Sequence, residues 1–159
     1  MVTMRVQTMN STLAFSMKNS PLRVALVVPH MFMHRDILPH VIFSPGHLAL
    51  TLAKGLVEQG IDVTLYTPGP VDTPVKNLTS DLSLFERELA GRGAHGDSYL
   101  DLLRKHPFTF ITLARQVQAE IVARVYHYAN QGLYDMVHVY TNEEELALAF
   151  ASLCRKPVM

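Results

Sequence analysis

Four histidines fall close together in this chain, His30, His34, His40 and His47, and the last closes the tetrad Ser44–Pro45–Gly46–His47. Imidazoles move protons near neutral pH, ligate metals and hydrogen-bond to sugars and phosphates. His30 and His34 have the spacing of one helical face, but Pro29 and Pro39 flank a segment with no helical pattern. No carboxylate–histidine pattern or cysteine pair accompanies them, so a metal site is set aside. Two readings stay open: a polar loop lining a sugar or phosphate pocket, or scattered surface histidines. His138 lies inside an apolar run, where a satisfied core histidine is the simpler reading.

The tetrad has its own logic. Ser44 can cap a helix, Pro45 suits its first turn, and Gly46 lets backbone approach a ligand. A helix N-terminus presents free N–H groups and a positive dipole end. No acid follows on this helix before Glu58, so phosphate is its natural partner. The alternative is that Ser44 and Pro45 are only good helix starters. Further on, Thr141 or Asn142 caps another helix, with Glu144 or Glu145 completing a capping box. Glu143, Glu144 and Glu145 would repel phosphate there, while Thr141 and Asn142 could still touch a sugar.

The elements that must position these residues alternate. Arg23–Val28 reads as a buried strand, and a loop runs from Met31 to Phe43. A helix comes next, with Leu48, Ala49, Leu52, Ala53 and Leu56 as its apolar stripe and Gly60 just past its end. Ile61–Thr67 is the second strand. Residues 71–106 are irregular, with a short helix around Phe85 and another turn or two over Ser98–Lys105. Pro107 opens a long helix that Gly132 ends, and Tyr134–Tyr140 is a third strand. A last helix runs through Leu148–Arg155, and Pro157–Met159 opens another strand. The expected fold is therefore α/β, an open parallel Rossmann-like sheet with helices on both faces. Ligands bind such sheets at the strand C-termini, here His30–Gly46, Thr67–Val71 and Tyr140–Glu143. The chain stops as its last strand begins, so it reads as the front half of something longer.

Composition excludes several classes. Basic and acidic residues number 14 each, so no global field draws in nucleic acid or an acidic membrane. One cysteine, Cys154, rules out an internal disulfide and fits a reducing, cytoplasmic setting. No apolar run is long enough to span a membrane, which leaves peripheral membrane contact open. Residues 1–20 carry no acid and read as a disordered or mis-called tail, or else a weak organellar presequence. They precede a domain over residues 21–159. G-x-G-x-x-G, the P-loop pattern and G-x-S-x-G are all absent.

The order of strand, loop, glycine-bearing helix start and "LALTLAKGLVEQGIDVTLYTPG" resembles the N-terminal domain of family-4 retaining glycosyltransferases of the GT-B fold. The family's Leu-Ala-x-x-Leu-x-x-x-Gly-x-x-Val run is Leu52 to Val63 here. "YDMVHVYTNEEELALAFASLCRKPVM" is similar to the family's Asp-x-Val-His-x-His strand with its succeeding helix and Pro-Val strand. Asp135, Val137 and His138 match, and Tyr140 stands where the second histidine is usual. The similar segments span residues 22–159, with 71–106 matching poorly.

The resemblance implies transfer of a sugar from a nucleotide-diphosphate sugar, with retention, to an acceptor that is a sugar, lipid or small molecule. It implies no tightly bound cofactor or metal. Ser44, Pro45, Gly46 and His47 would approach the donor phosphates, with His47 where a second glycine is usual. His30, His34, Tyr140, Thr141 and Asn142 would line the acceptor side. The catalytic residues are expected beyond Met159, and the nucleotide-binding C-terminal domain would be supplied in cis or in trans. The chain alone is then expected to be inactive. The rival is a non-catalytic α/β phosphate- or nucleotide-binding module, or a partner subunit.

Overall fold

The computed structural model of the chain describes residues 20–91, 98–140 and 145–159. Its centre is β1 (Arg23–Val27), whose apolar run is buried on both faces. α1 (Ser44–Glu58) leads to β2 (Asp62–Thr67), and β3 (Lys76–Thr79) comes after a short connection. α2 (Ser83–Gly91) and α3 (Tyr99–Lys105) precede the long α4 (Pro107–Asn130). β4 (Met136–Val139) and α5 (Glu145–Ala149) complete the set. The strands are all parallel, in the order β3-β2-β1-β4. This is the expected α/β Rossmann-like architecture.

Alternation along the strands divides the core in two. Leu26 and Val28 of the β1 segment, with Val63 and Leu65 of β2, face Ala49 and Ala53 of α1. Ala25, Val27, Tyr66 and Val137 face Val117, Ile121 and Val125 of α4. A sheet covered on both faces needs apolar residues at every position, which is why these strands read as continuous runs. Val158 bridges in parallel to Val137, and Val139 donates to the Met159 carbonyl at 2.7 Å. Residues 157–159 thus begin a ladder outside β4.

Three local expectations need correction. Ser44 is the first helical residue and makes no capping bond; Phe43 occupies the N-cap, and its buried ring fixes the turn instead. The buried face of α1 is Gly46, Ala49 and Ala53, while Leu48 is 56% exposed. Small residues let α1 sit close to the sheet, and the leucines are rotated to its flanks. The last helix stops at Ala149 and passes into a 3-10 turn over Ala151–Leu153 instead of continuing to Arg155. Asn130 supplies the reason: its side chain donates to the Leu153 carbonyl at 2.8 Å and accepts from the Arg155 N–H at 2.6 Å. Those backbone groups are satisfied without a helix.

β3 had no counterpart in the sequence pattern. It is a polar edge strand, paired in parallel with β2 and reinforced by side chains. Asn77 donates to the Leu65 carbonyl and the Thr67 hydroxyl, at 3.2 and 2.8 Å. From the α4 side, Arg124 donates to the Thr79 carbonyl at 3.1 Å. The connection before it is short, and Val71 and Val75 bury into the α1-side core. Gly60 and Gly132 end α1 and α4 at φ +79° and +82°, the left-handed conformation expected of a glycine after a helix.

Candidate functional site

Sequential strands run outward from β1 to β3, and α4 then carries the chain back to β4 on the other side of β1. The strand order therefore reverses between β1 and β4, and the C-terminal ends of these strands frame a crevice. The crevice is pinned at its base. The Tyr140 N–H donates to the Val27 carbonyl at 2.7 Å, and the Val28 N–H donates to the Tyr66 carbonyl at 2.9 Å.

The segment after β1 straddles this edge. Met31 and Ile37 bury into the α4-side core, while Met33 and Phe43 bury into the α1-side core. The loop is thereby anchored on both faces of the sheet. Turns at His30 and His34 tighten it, with Met33 N–H donating to the His30 carbonyl and Ile37 N–H to the His34 carbonyl, both at 2.8 Å.

His30 lies at the centre of the resulting arrangement. Its ring stacks on Phe43 at 4.7 Å and meets the edge of Phe32 at 4.6 Å. The Phe32 N–H donates to His30 Nδ1 at 3.2 Å, which places the proton of the neutral ring on Nε2. His30 and Phe32 form one wall of a cleft of about 150 Å³, and Phe110, Ile111, Arg115 and Gln118 of α4 form the other. That volume holds about five waters at ~30 Å³ each, or one small ring. Gln118 is 5% exposed. Among the described lining residues Arg115 carries the one permanent charge, and His30 supplies the one imidazole. The cleft can bind and orient a ligand with an apolar face and a polar or anionic edge. Its described lining holds no pair of carboxylates for acid–base hydrolysis.

The other sequence candidates lie apart from this cleft. His34 is 5% exposed and packed against Gly69, so closely that a Cβ on Gly69 would overlap the imidazole. Its Nδ1 accepts from the Asp36 N–H at 3.1 Å. Burial lowers its pKa, with Asp36 opposing, so His34 is a neutral wedge between two loops. Tyr140 is half-buried beside His138, with ring centroids 5.8 Å apart. Burial lowers the His138 pKa as well. Thr141 and Asn142 lie outside the described residues, as do the proposed capping glutamate Glu144 and the tail over 1–19.

At the tetrad, Gly46 is buried, and the space its Cβ would take is filled by Met33 Sδ at 2.5 Å and Phe43 Cδ1 at 2.7 Å. The close approach that needs this glycine is made by protein side chains. The Gly46 and His47 N–H groups donate to the Phe43 carbonyl at 3.1 and 3.4 Å, and Pro45 has no N–H. Ser44 and His47 are exposed. His40 is exposed too, and among the described residues no three His, Cys, Asp or Glu side chains converge as a metal shell.

Arg115 and Gln118 were not singled out from the sequence. The available signal was a polar residue, Gln118, directly beside the buried stripe position Val117. A larger apolar groove of about 470 Å³ runs between α4 and α5, past Val122, Tyr126 and Phe150. Among the described residues no helix is long and apolar enough to cross a membrane. The chain matches no family model, and no curated protein matches it.

Proposed function

We propose that this chain is the acceptor-side domain of a retaining, nucleotide-sugar-dependent glycosyltransferase. The carrying observation is the cleft between α4 and His30, which follows the C-terminal end of β1, the edge at which open α/β sheets bind their ligands. The second segment of the resemblance supports the reading by its position. The Leu52–Val63 run lies on α1 and β2, and the Asp135–Tyr140 run enters and leaves β4. The second run ends beside the crevice at Tyr140, and the first lies at the other end of the sheet.

In this reading an acceptor lays an apolar ring face against Phe32 and Phe110. His30 donates to an acceptor hydroxyl, and Arg115 meets an anionic substituent at the mouth. Catalysis in such a cleft consists of positioning and stabilising developing charge, which needs a second wall. That wall, with most of the nucleotide contacts, belongs to another domain in cis or in trans. His47 and Ser44, both exposed at the start of α1, are the groups on this side that would reach the donor phosphates. The lone thiol, half-buried Cys154, suits a cytoplasmic protein.

The rival module, binding phosphate through backbone at Gly46, has less support. The Gly46 and His47 amides are engaged by Phe43, and the glycine is filled by Met33. Calorimetric titration with uridine and guanosine diphosphate sugars separates the two. The acceptor-side reading expects the isolated chain to bind them no tighter than about 1 mM. Binding near ~1 μM by this chain alone would favour the nucleotide-binding module.

A further inference from the structure

Three elements close on the His34 imidazole. Its own turn holds it through Nδ1, which accepts the Asp36 N–H at 3.1 Å. The turn after β2 brings Gly69 so near that a Cβ there would overlap ring Cδ2. α3 adds the Tyr99 ring, with centroids 4.9 Å apart. Beside the ring, the Arg35 N–H donates to the Pro70 carbonyl at 2.8 Å, so the loop after β1 is clasped to the turn after β2. The bond at Nδ1 leaves the proton of the neutral ring on Nε2. A second proton must therefore go to Nδ1. That turns the acceptor into a donor facing the Asp36 N–H, and it puts a charge in a socket that is 5% exposed.

Few described groups act on this ring. From its own loop, the Asp36 carboxylate lies 3.7 Å from Nδ1 and favours protonation, while Arg35 opposes it. Asp36 is 64% exposed, so solvent screens its pull, and Arg35 competes for the same carboxylate at 3.9 Å. From α3 comes the Tyr99 phenol, kept neutral by burial, with Glu86 of α2 acting on it in turn. Residues 68–71 carry no charged side chain. Burial outweighs the rest and lowers the His34 pKa.

We propose that His34 is a proton-sensitive clasp: neutral, it locks the loop after β1 against the turn after β2 and against α3, and protonated, it leaves its socket and frees that loop. The effect reaches the cleft, because Phe32 of the loop and Leu103 of α3 both line it. A histidine with a lowered pKa in the locked state favours locking above its ordinary value of 6.5, and that preference is lost as pH falls below it. The clasp acts in the free chain, whatever ligand the cleft takes.

The test is an NMR titration of the full chain from pH ~8 to pH ~5, following the His34 ring and the amides of Arg35, Asp36, Gly69 and Leu103. These signals are expected to move on one shared curve with a midpoint below 6.5. His34→Asn keeps an acceptor for the Asp36 N–H without titrating, and should abolish the curve. His40→Gln, at an exposed position nearby, should leave it intact. Gly69→Ala should expel the ring and give the released shifts already at pH ~8. Circular dichroism checks that each variant is folded. Loop amides that stay still while the His34 ring titrates would overturn the proposal, as would a shared curve that persists in His34→Asn. A His34 midpoint at or above 6.5 would overturn it equally.

Discussion

Asp135 grips Arg23 with both carboxylate oxygens, Oδ1 to Nη2 at 2.8 Å and Oδ2 to Nε at 3.1 Å, and Oδ2 also accepts the Arg23 main-chain N–H at 3.0 Å. The Asp135 N–H returns a bond to the Arg23 carbonyl at 2.8 Å. This fork ties the start of β1 to the approach to β4, the two strands that frame the crevice. The aspartate of the family-like Asp-x-Val-His pattern is thus occupied at the opposite end of the strand from the cleft. Its geometry gives it a scaffolding task.

The fork makes an acid-stability prediction. Hydrogen bonds from the Arg23 side chain and then from its backbone hold Asp135 at about 2, below the ordinary carboxylate range. A carboxylate depressed in the folded state stabilises it above the unfolded pKa of about 4, and that contribution is lost as pH falls toward about 2. Both side chains are more than one-third exposed, at 39% and 34%, so solvent screens the pair and the effect is modest. Asp135→Asn should lower the thermal midpoint by a few degrees at neutral pH. Melts followed through the acid range should show the variant and the original converging near pH ~2. An undiminished difference there would assign the loss to packing.

Gly46→Ala separates packing from ligand binding. A methyl here meets Met33 Sδ and the Phe43 ring well inside van der Waals contact. Overpacking of this kind costs about 1–3 kcal/mol, against the ~1 kcal/mol by which alanine favours a helix. The expected net is a destabilisation of about 1 kcal/mol in urea unfolding, since the Met33 side chain can partly yield. A variant as stable as the original would mean that the glycine is kept for something other than packing.

Tyr66 and Tyr134 share a hydroxyl–hydroxyl bond of 2.7 Å in the α4-side core, with the Arg124 guanidinium 5.6 Å over the Tyr66 ring. Burial, then the bond to Tyr134, drives the Tyr66 pKa far up, so its hydroxyl stays neutral in the folded protein. Tyr134→Phe leaves that hydroxyl buried without this partner and should cost about 1–3 kcal/mol. The double change with Tyr66→Phe should recover part of the loss. A double-mutant cycle by chemical denaturation reads the coupling, and strict additivity would argue against a working bond.

Much of this architecture was legible because burial on both faces forces continuous apolar strands. Arg23–Val27 and Asp62–Thr67 announced themselves in that way, and Pro107 and Gly132 bracketed α4. β3 was not legible: Lys76, Asn77 and Thr79 have no strand-like apolar pattern, and Asn77 holds the strand through bonds to residues ten and twelve positions away. The start of α1 was misplaced by one residue because Phe43, not a polar cap, fixes it through tertiary packing. For the candidate site, His30 was found because it comes just after the central strand. Its partners Arg115 and Gln118 are contributed by α4, and only the fold brings them there. Gly46 looked like a ligand contact because no local pattern reveals that Met33 fills its face.

The proposed function stands or falls on ligands entering the cleft between His30 and α4. An amide-resolved NMR titration of the chain with simple aryl and alkyl hexosides reads this without an intermediate step, beside the same titration of His30→Ala. Shift changes are expected to concentrate at residues 30–32 and 110–118, with affinity lowered about tenfold in the variant. Perturbations confined to the start of α1, or a response that His30→Ala leaves intact, would contradict it.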